Sequence, residues 1–171
     1  MAIFNFPQHW SPSYIQQFER NIGIVSLAQQ DKIKNAKIAI LGTGGLGAPV
    51  ALQLAYSGCE NLVLVDYDKI EKSNLNRQPF KLEDIGRFKV DVLARELIKI
   101  NPHINIKKSH KIDEKNIYSI LDGIDVISLS LDGPYGSILV SRKARELGIP
   151  ILESWAIPYL FSWWFTKESL S

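Results

Sequence analysis

Residues 42–47 read Gly-Thr-Gly-Gly-Leu-Gly, the spacing G-x-G-x-x-G. Glycines at Gly42, Gly44, Gly45 and Gly47 let the chain turn tightly and bring backbone N–H groups close to a phosphate. The spacing alone is a weak signal, and its surroundings strengthen it. A short apolar run (37–41) precedes it, a helix-forming stretch follows, and Asp66 closes the next apolar run. That is the setting in which the pattern cradles a nucleotide. Pro49 agrees, because proline is tolerated in the first turn of a helix, where its missing N–H costs nothing. Asp66 is placed to accept hydrogen bonds from ribose hydroxyls, with Asp68 beside it to help. A ligand-free glycine turn and loop-capping aspartates are the competing structural readings.

A dense polar cluster follows: Asn74-Leu75-Asn76-Arg77-Gln78, with Lys89 at the start of the next helix. Taken alone, the glycine pattern suggests NAD. A nicotinamide ring needs a flat apolar slot, whereas this segment offers arginine and lysine to a polyphosphate. A solvated loop is the plainer reading of the same residues.

Such groups work only if strand ends and helix starts hold them together. The spacing predicts helices over 13–22, with Ser13 as N-cap, and over 26–33, with Gly23 breaking the chain between them. Continuous apolar runs predict buried strands at 37–41, 62–65, 125–129 and from 151, with a short alternating strand at 104–106. Helices are expected at 45–57, 88–100, 115–121 and 137–147, two of them stopped by Gly58 and Gly148. Strand and helix alternate, and the strands do not alternate polar with apolar. This predicts an α/β, Rossmann-like, doubly wound and mainly parallel sheet with helices on both faces. Residues 1–35 form an N-terminal helical segment ahead of a nucleotide-binding unit at 36–171. Ligands of such sheets lie at the carboxyl ends of the strands.

Composition bounds the rest. At 171 residues one domain is expected. Hydrophobic residues at 46% and charged residues at 22% exclude a disordered chain. Twenty basic and eighteen acidic residues leave a net charge of +2, too balanced to suggest nucleic acid or an anionic membrane. No apolar run approaches a membrane span, and no secretory leader is visible, so a cytoplasmic location is expected. The one cysteine, Cys59, excludes an internal disulfide and a multi-cysteine zinc site. It reads as a packed residue rather than a nucleophile. His9, His103 and His110 have no metal-ligand spacing.

Residues 42–49, then Leu64-Val65-Asp66-Tyr67-Asp68, then Asn74-Leu75-Asn76-Arg77-Gln78 together resemble the ThiF/MoeB/HesA family, which includes the adenylation domains of ubiquitin-activating enzymes. Phe18-Glu19-Arg20-Asn21, Gln30-Asp31-Lys32-Ile33, Gly86-Arg87-Phe88-Lys89 and Leu131-Asp132 extend the resemblance over about 14–160. It implies an ATP-dependent adenylyltransferase that activates the C-terminal carboxylate of a ubiquitin-like or sulfur-carrier protein with a glycine tail. It implies ATP and Mg2+ as ligands. By the same resemblance Asp66 binds the ribose, Asn74, Asn76 and Gln78 lie in the nucleotide loop, and Arg77 and Lys89 contact phosphates. Asp132 matches the magnesium-linked aspartate, and Arg20 matches an arginine that reaches a partner subunit's site. A carboxylate nucleophile is already ionised near neutral pH, so no catalytic base is needed. The chemistry then rests on charge stabilisation.

The chain also departs from the family. Its Cys-x-x-Cys zinc pairs, transfer cysteine and crossover loop are not found, so no zinc is expected in this chain. Gly133 stands where asparagine is common, and Val90-Asp91 where alanines are. Two other readings stand beside adenylation: a catalytically reduced subunit or scaffold of a heteromeric activating enzyme, and an NAD-dependent oxidoreductase. Finally, Trp155, Tyr159, Phe161, Trp163, Trp164 and Phe165 crowd the last seventeen residues. A strand sends Trp163 and Trp164 to opposite faces, one into the core and one outward. With Arg20, this predicts a two-fold homodimer.

Overall fold

A computed structural model describes residues 5–155 and 161–169. Five parallel strands and one antiparallel strand form a single sheet in the order β3-β2-β1-β4-β5-β6. They are β1 (Lys37–Leu41), β2 (Asn61–Val65), β3 (Asn105–Ser109), β4 (Val126–Leu129), β5 (Ile151–Trp155) and β6 (Phe161–Phe165). β1 lies at the centre, paired with β2 and β4. The sheet is Rossmann-like, as expected.

Alternate residues of the central strands feed two cores. Ile40, Leu62 and Leu64 pack against α3 (Gly47–Tyr56) and α4 (Lys89–Ile100). Ala39, Leu41, Val63 and Val65 pack on the other side with α5 (Ile117–Leu121) and α6 (Pro134–Leu147). Burial on both faces is why these strands are apolar throughout. No helix among the described residues is long and apolar enough to cross a membrane.

The N-terminal segment contributes α1 (Pro12–Phe18), a 3-10 turn (Glu19–Asn21) and α2 (Leu27–Asn35). The N-cap of α1 is Ser11, not the expected Ser13: its hydroxyl accepts from Tyr14 N at 3.1 Å. Pro12 at the first helical position sets that start, since its fixed φ suits a helix and its missing N–H is not needed there. Trp10, Tyr14 and Phe18 form a small third core. Tyr14 donates its hydroxyl to Gly58 O at 3.0 Å and accepts from Gln30 Nε2 at 2.8 Å. Gly58 has φ +90, and a Cβ there would lie 2.6 Å from the Tyr14 oxygen. Cys59 is buried beside it, and burial pushes its thiol pKa up.

Several boundaries differ from expectation. β3 runs to Ser109 rather than ending at 106, because it pairs residue for residue with all of β2. Lys107 and Lys108 disguised it, and a sheet edge tolerates lysine. α3 begins at Gly47, since Gly44 and Gly45 remain in the turn. α6 begins at Pro134, three residues early, again with proline in the first turn. The tryptophan expectation fails: Trp163 is 45% and Trp164 55% exposed, so neither enters the core. β6 lies at the edge, and of its residues Phe165 packs against the second core. Tyr159 falls outside the described residues.

Candidate nucleotide site

The turn between β1 and α3 is wedged against its neighbours. Gly42 N donates to Val65 O at 2.8 Å, and Ser130 N donates to Leu41 O at 2.8 Å. Gly42 has φ +94, and a Cβ there would fall 2.2 Å from Ser130 O. A Cβ on Gly47 would fall 1.8 Å from Gly42 O. Both are glycine because the turn itself leaves no room. Gly44 and Gly45 are different. Added Cβ atoms would meet Gln78 Nε2 at 3.6 Å and Arg77 Cγ at 3.4 Å, ordinary contact distances. Protein packing does not forbid side chains at these two positions, which form a cradle under the Arg77–Gln78 segment.

Asp66 follows β2 and is buried. Its Oδ2 accepts from Thr43 N at 2.7 Å and Thr43 Oγ1 at 3.1 Å, and its Oδ1 accepts from Asp68 N at 2.8 Å. The carboxylate therefore ties the glycine turn to the end of β2. A carboxylate offers about four acceptor positions. Three are filled, which leaves room for one outside donor such as a ribose hydroxyl. Thr43 is the neighbour of Asp66 that sequence reasoning missed. Its signal was a hydroxyl residue inside the glycine motif, two residues past the carboxyl end of β1.

The loop after Asp68 folds back over the turn. Asn74 Oδ1 accepts from Glu71 N at 3.0 Å and shapes the 3-10 turn Lys72–Asn74. Arg77 is exposed and donates from Nη1 to Asn76 Oδ1 at 2.9 Å and Ser73 O at 3.2 Å. Gln78 is only 7% exposed, and its Oε1 is buried without a partner. An orphaned acceptor of this kind is costly unless a ligand or water meets it. Lys89 opens α4 with its ammonium on Asp68 Oδ2 at 2.6 Å.

Asp132 lies just beyond β4, two residues from the Gly42–Ser130 contact, exposed and without a partner among the described residues. No three His, Cys, Asp or Glu side chains gather into a metal cluster among the described residues. Gly42, Gly44, Gly45, Gly47, Asp66, Asp68, Asn74, Asn76, Arg77, Gln78, Lys89 and Asp132 thus share the carboxyl end of the sheet. Arg20 does not. Its neighbour Asn21 donates to Ser57 O at 3.4 Å, at the far end of α3. Ten residues of helix, about 15 Å at 1.5 Å each, separate that end from the glycine turn.

A sequence model of the ThiF family matches residues 18–160. The chain is 33% identical over 127 residues to the adenylyltransferase and sulfurtransferase UBA4 of Vanderwaltozyma polyspora, a match covering 73% of this chain and 29% of that one. It thus spans less than a third of that relative's length. Among solved structures, PaaA superposes with a TM-score of 0.85 at 26% identity, covering 96% of this chain and 58% of that one. The Escherichia coli MccB structure with ATP gives 0.68 at 32% identity, over 78% of this chain and 42% of that one.

Proposed function

The chain belongs to the ThiF family, and from that membership we propose that it is the nucleotide-binding part of an ATP-dependent adenylyltransferase. The substrate is the C-terminal carboxylate of a ubiquitin-like or sulfur-carrier protein with a glycine tail. A carboxylate oxygen attacks the α-phosphorus of ATP, the bond to the bridging oxygen breaks, and an acyl-adenylate and pyrophosphate result. The observation that carries this reading is the cradle at Gly44 and Gly45, whose nearest neighbours are the Arg77 side chain and the donating amide nitrogen of Gln78. Solved structures of MccB with ATP and the adenylyltransferase name of the fungal relative support it.

In this reading the turn offers backbone N–H groups to phosphate oxygens. Asp66 takes the ribose through its remaining acceptor position, and Asn74, Asn76 and Gln78 border the nucleotide. Arg77 and Lys89 stabilise the charge that builds on the α-phosphate and the leaving group. Asp132 fits Mg2+, which binds through one or two carboxylates plus substrate phosphates and would neutralise the departing pyrophosphate. Arg20, too far from its own turn, serves the site of a second copy in a homodimer. Residues 1–35 form the segment that presents it. A cytoplasmic location completes the reading.

ATP–pyrophosphate exchange with carrier proteins ending in a glycine tail tests it. Carrier-dependent exchange is expected. Carrier binding without exchange would make the chain a non-catalytic subunit, and NAD binding in place of ATP would make the reading wrong.

A further inference from the structure

Lys89 is unusual for a residue expected to meet a phosphate. Its side chain is 6% exposed, whereas that of Asp68, on the other side of the pair, is 39% exposed. An ammonium that deep is costly unless a charge accompanies it. Asp68 supplies that charge at 2.6 Å, and its carbonyl accepts from Lys89 N at 3.0 Å. The next residues, Lys69 and Phe88, are bridged in antiparallel fashion. The Asp68 loop and the start of α4 are therefore joined by main chain and side chain together. Other charges nearby are engaged elsewhere. Asp91 takes Lys108 at 2.6 Å and His110 at 3.7 Å, Lys69 lies over the Phe88 ring, and Asp66 receives Thr43 and the Asp68 N–H.

We propose that Asp68 is a positioning residue: its carboxylate holds the Lys89 ammonium at the mouth of the glycine turn, and the ribose belongs to Asp66 alone. The inference rests on the adenylation reading for its phosphate and deepens it. Asp68 then acts on the transferred phosphate through Lys89 and makes no contact with the sugar. Its open side is what lets Lys89 turn toward a phosphate without leaving its counter-charge.

The test compares wild type, Asp68→Asn and Asp68→Glu in pyrophosphate exchange with ATP, 2′-deoxy-ATP and 3′-deoxy-ATP. Misplacing a catalytic group by about 1 Å can cost ~10²-fold in rate. Asp68→Asn should lower kcat on that scale while KM for ATP changes less than threefold, and Asp68→Glu should restore most of the rate. The penalty for either deoxynucleotide should equal that of wild type. A raised KM with kcat intact, or a vanished deoxy penalty, would return Asp68 to the ribose and overturn the proposal. Lysine acetylation followed by mass spectrometry supplies a readout independent of turnover. Lys89 should be protected in wild type and in Asp68→Glu but labelled several-fold faster in Asp68→Asn, with unchanged circular dichroism. Equal labelling in all three overturns the pairing. If wild type shows no exchange yet labelling follows this pattern, the adenylation reading fails and the positioning of Lys89 stands.

Discussion

Four glycines in one motif have two different reasons to be glycine, and mutation can separate them. Gly47→Ala puts a methyl group 1.8 Å from Gly42 O, so the turn or α3 must move. Overpacking of this kind typically costs about 1–3 kcal/mol, and a lowered melting temperature is expected. Gly44→Ala meets Gln78 Nε2 at 3.6 Å, which is ordinary contact. That variant should melt as wild type does but bind ATP at least tenfold more weakly by calorimetry, because the methyl occupies the space a phosphate needs. Wild-type affinity for Gly44→Ala would sink the cradle. The motif was legible in the sequence because a glycine requirement is local. The bonds of Asp66 to Thr43 were not: they join residues 23 apart, and their pairing depends on β1 and β2 lying side by side. The Lys89–Asp68 pair was hidden for the same reason, since residue types suggest a free lysine where the fold supplies a partner.

At the scale of elements, the strands with continuous apolar runs were legible and the edges were not. β1, β2 and β4 sit inside the sheet, where burial on both faces dictates composition. β3 and β6 are edge strands, and their side chains answer to solvent on at least one side. Hence Lys107 and Lys108 concealed one strand, and Trp163 and Trp164 misled about the other. The attachment of α1 has its own test. Burial pushes the Tyr14 phenol from the ordinary 10.0 up to about 12, with Glu60 nearby adding to it and the Gln30 hydrogen bond opposing. A raised value means that the neutral phenol is favoured in the folded chain. Its contribution is complete below pH 10 and is lost as pH rises toward 12. The displacement corresponds to at most about 3 kcal/mol. Urea unfolding of wild type should weaken over that interval, whereas Tyr14→Phe, less stable at neutral pH for want of its bonds to Gly58 and Gln30, should weaken less. Parallel pH curves for the two would refute the assignment.

For the whole molecule, the proposed homodimer is weighed against what the described surface leaves open. Phe161 and Trp163 stack at 5.3 Å on one face of β6, and Trp155 stands opposite Phe161 across the ladder. A groove of about 440 Å³ runs between this face and α6, lined by Ile138, Arg142, Glu153, Trp155 and Phe165 among others. The homodimer proposed above would have apolar surface to bury here, in a groove that bears both Arg142 and Glu153. Light scattering at micromolar concentration is expected to show a dimer. Mixing Arg20→Ala with Lys89→Ala subunits should restore part of the exchange activity that each lacks, since one interface then joins an intact turn to an intact arginine. A monomer, or a mixture as inactive as its parts, would argue against that arrangement. The central place of β1 also bears on how the chain is made. Leu41 pairs with Val65 on one side and with Leu129 on the other. At translation rates of about 5–20 residues per second, β1 waits roughly 4–18 s for its second neighbour. Through that interval a largely apolar strand has at least one hydrogen-bonding edge unclaimed on the nascent chain. Chaperone demand should therefore peak before β4 leaves the ribosome, and slowing codons placed between β2 and β4 should lower soluble yield more than the same codons placed after β4.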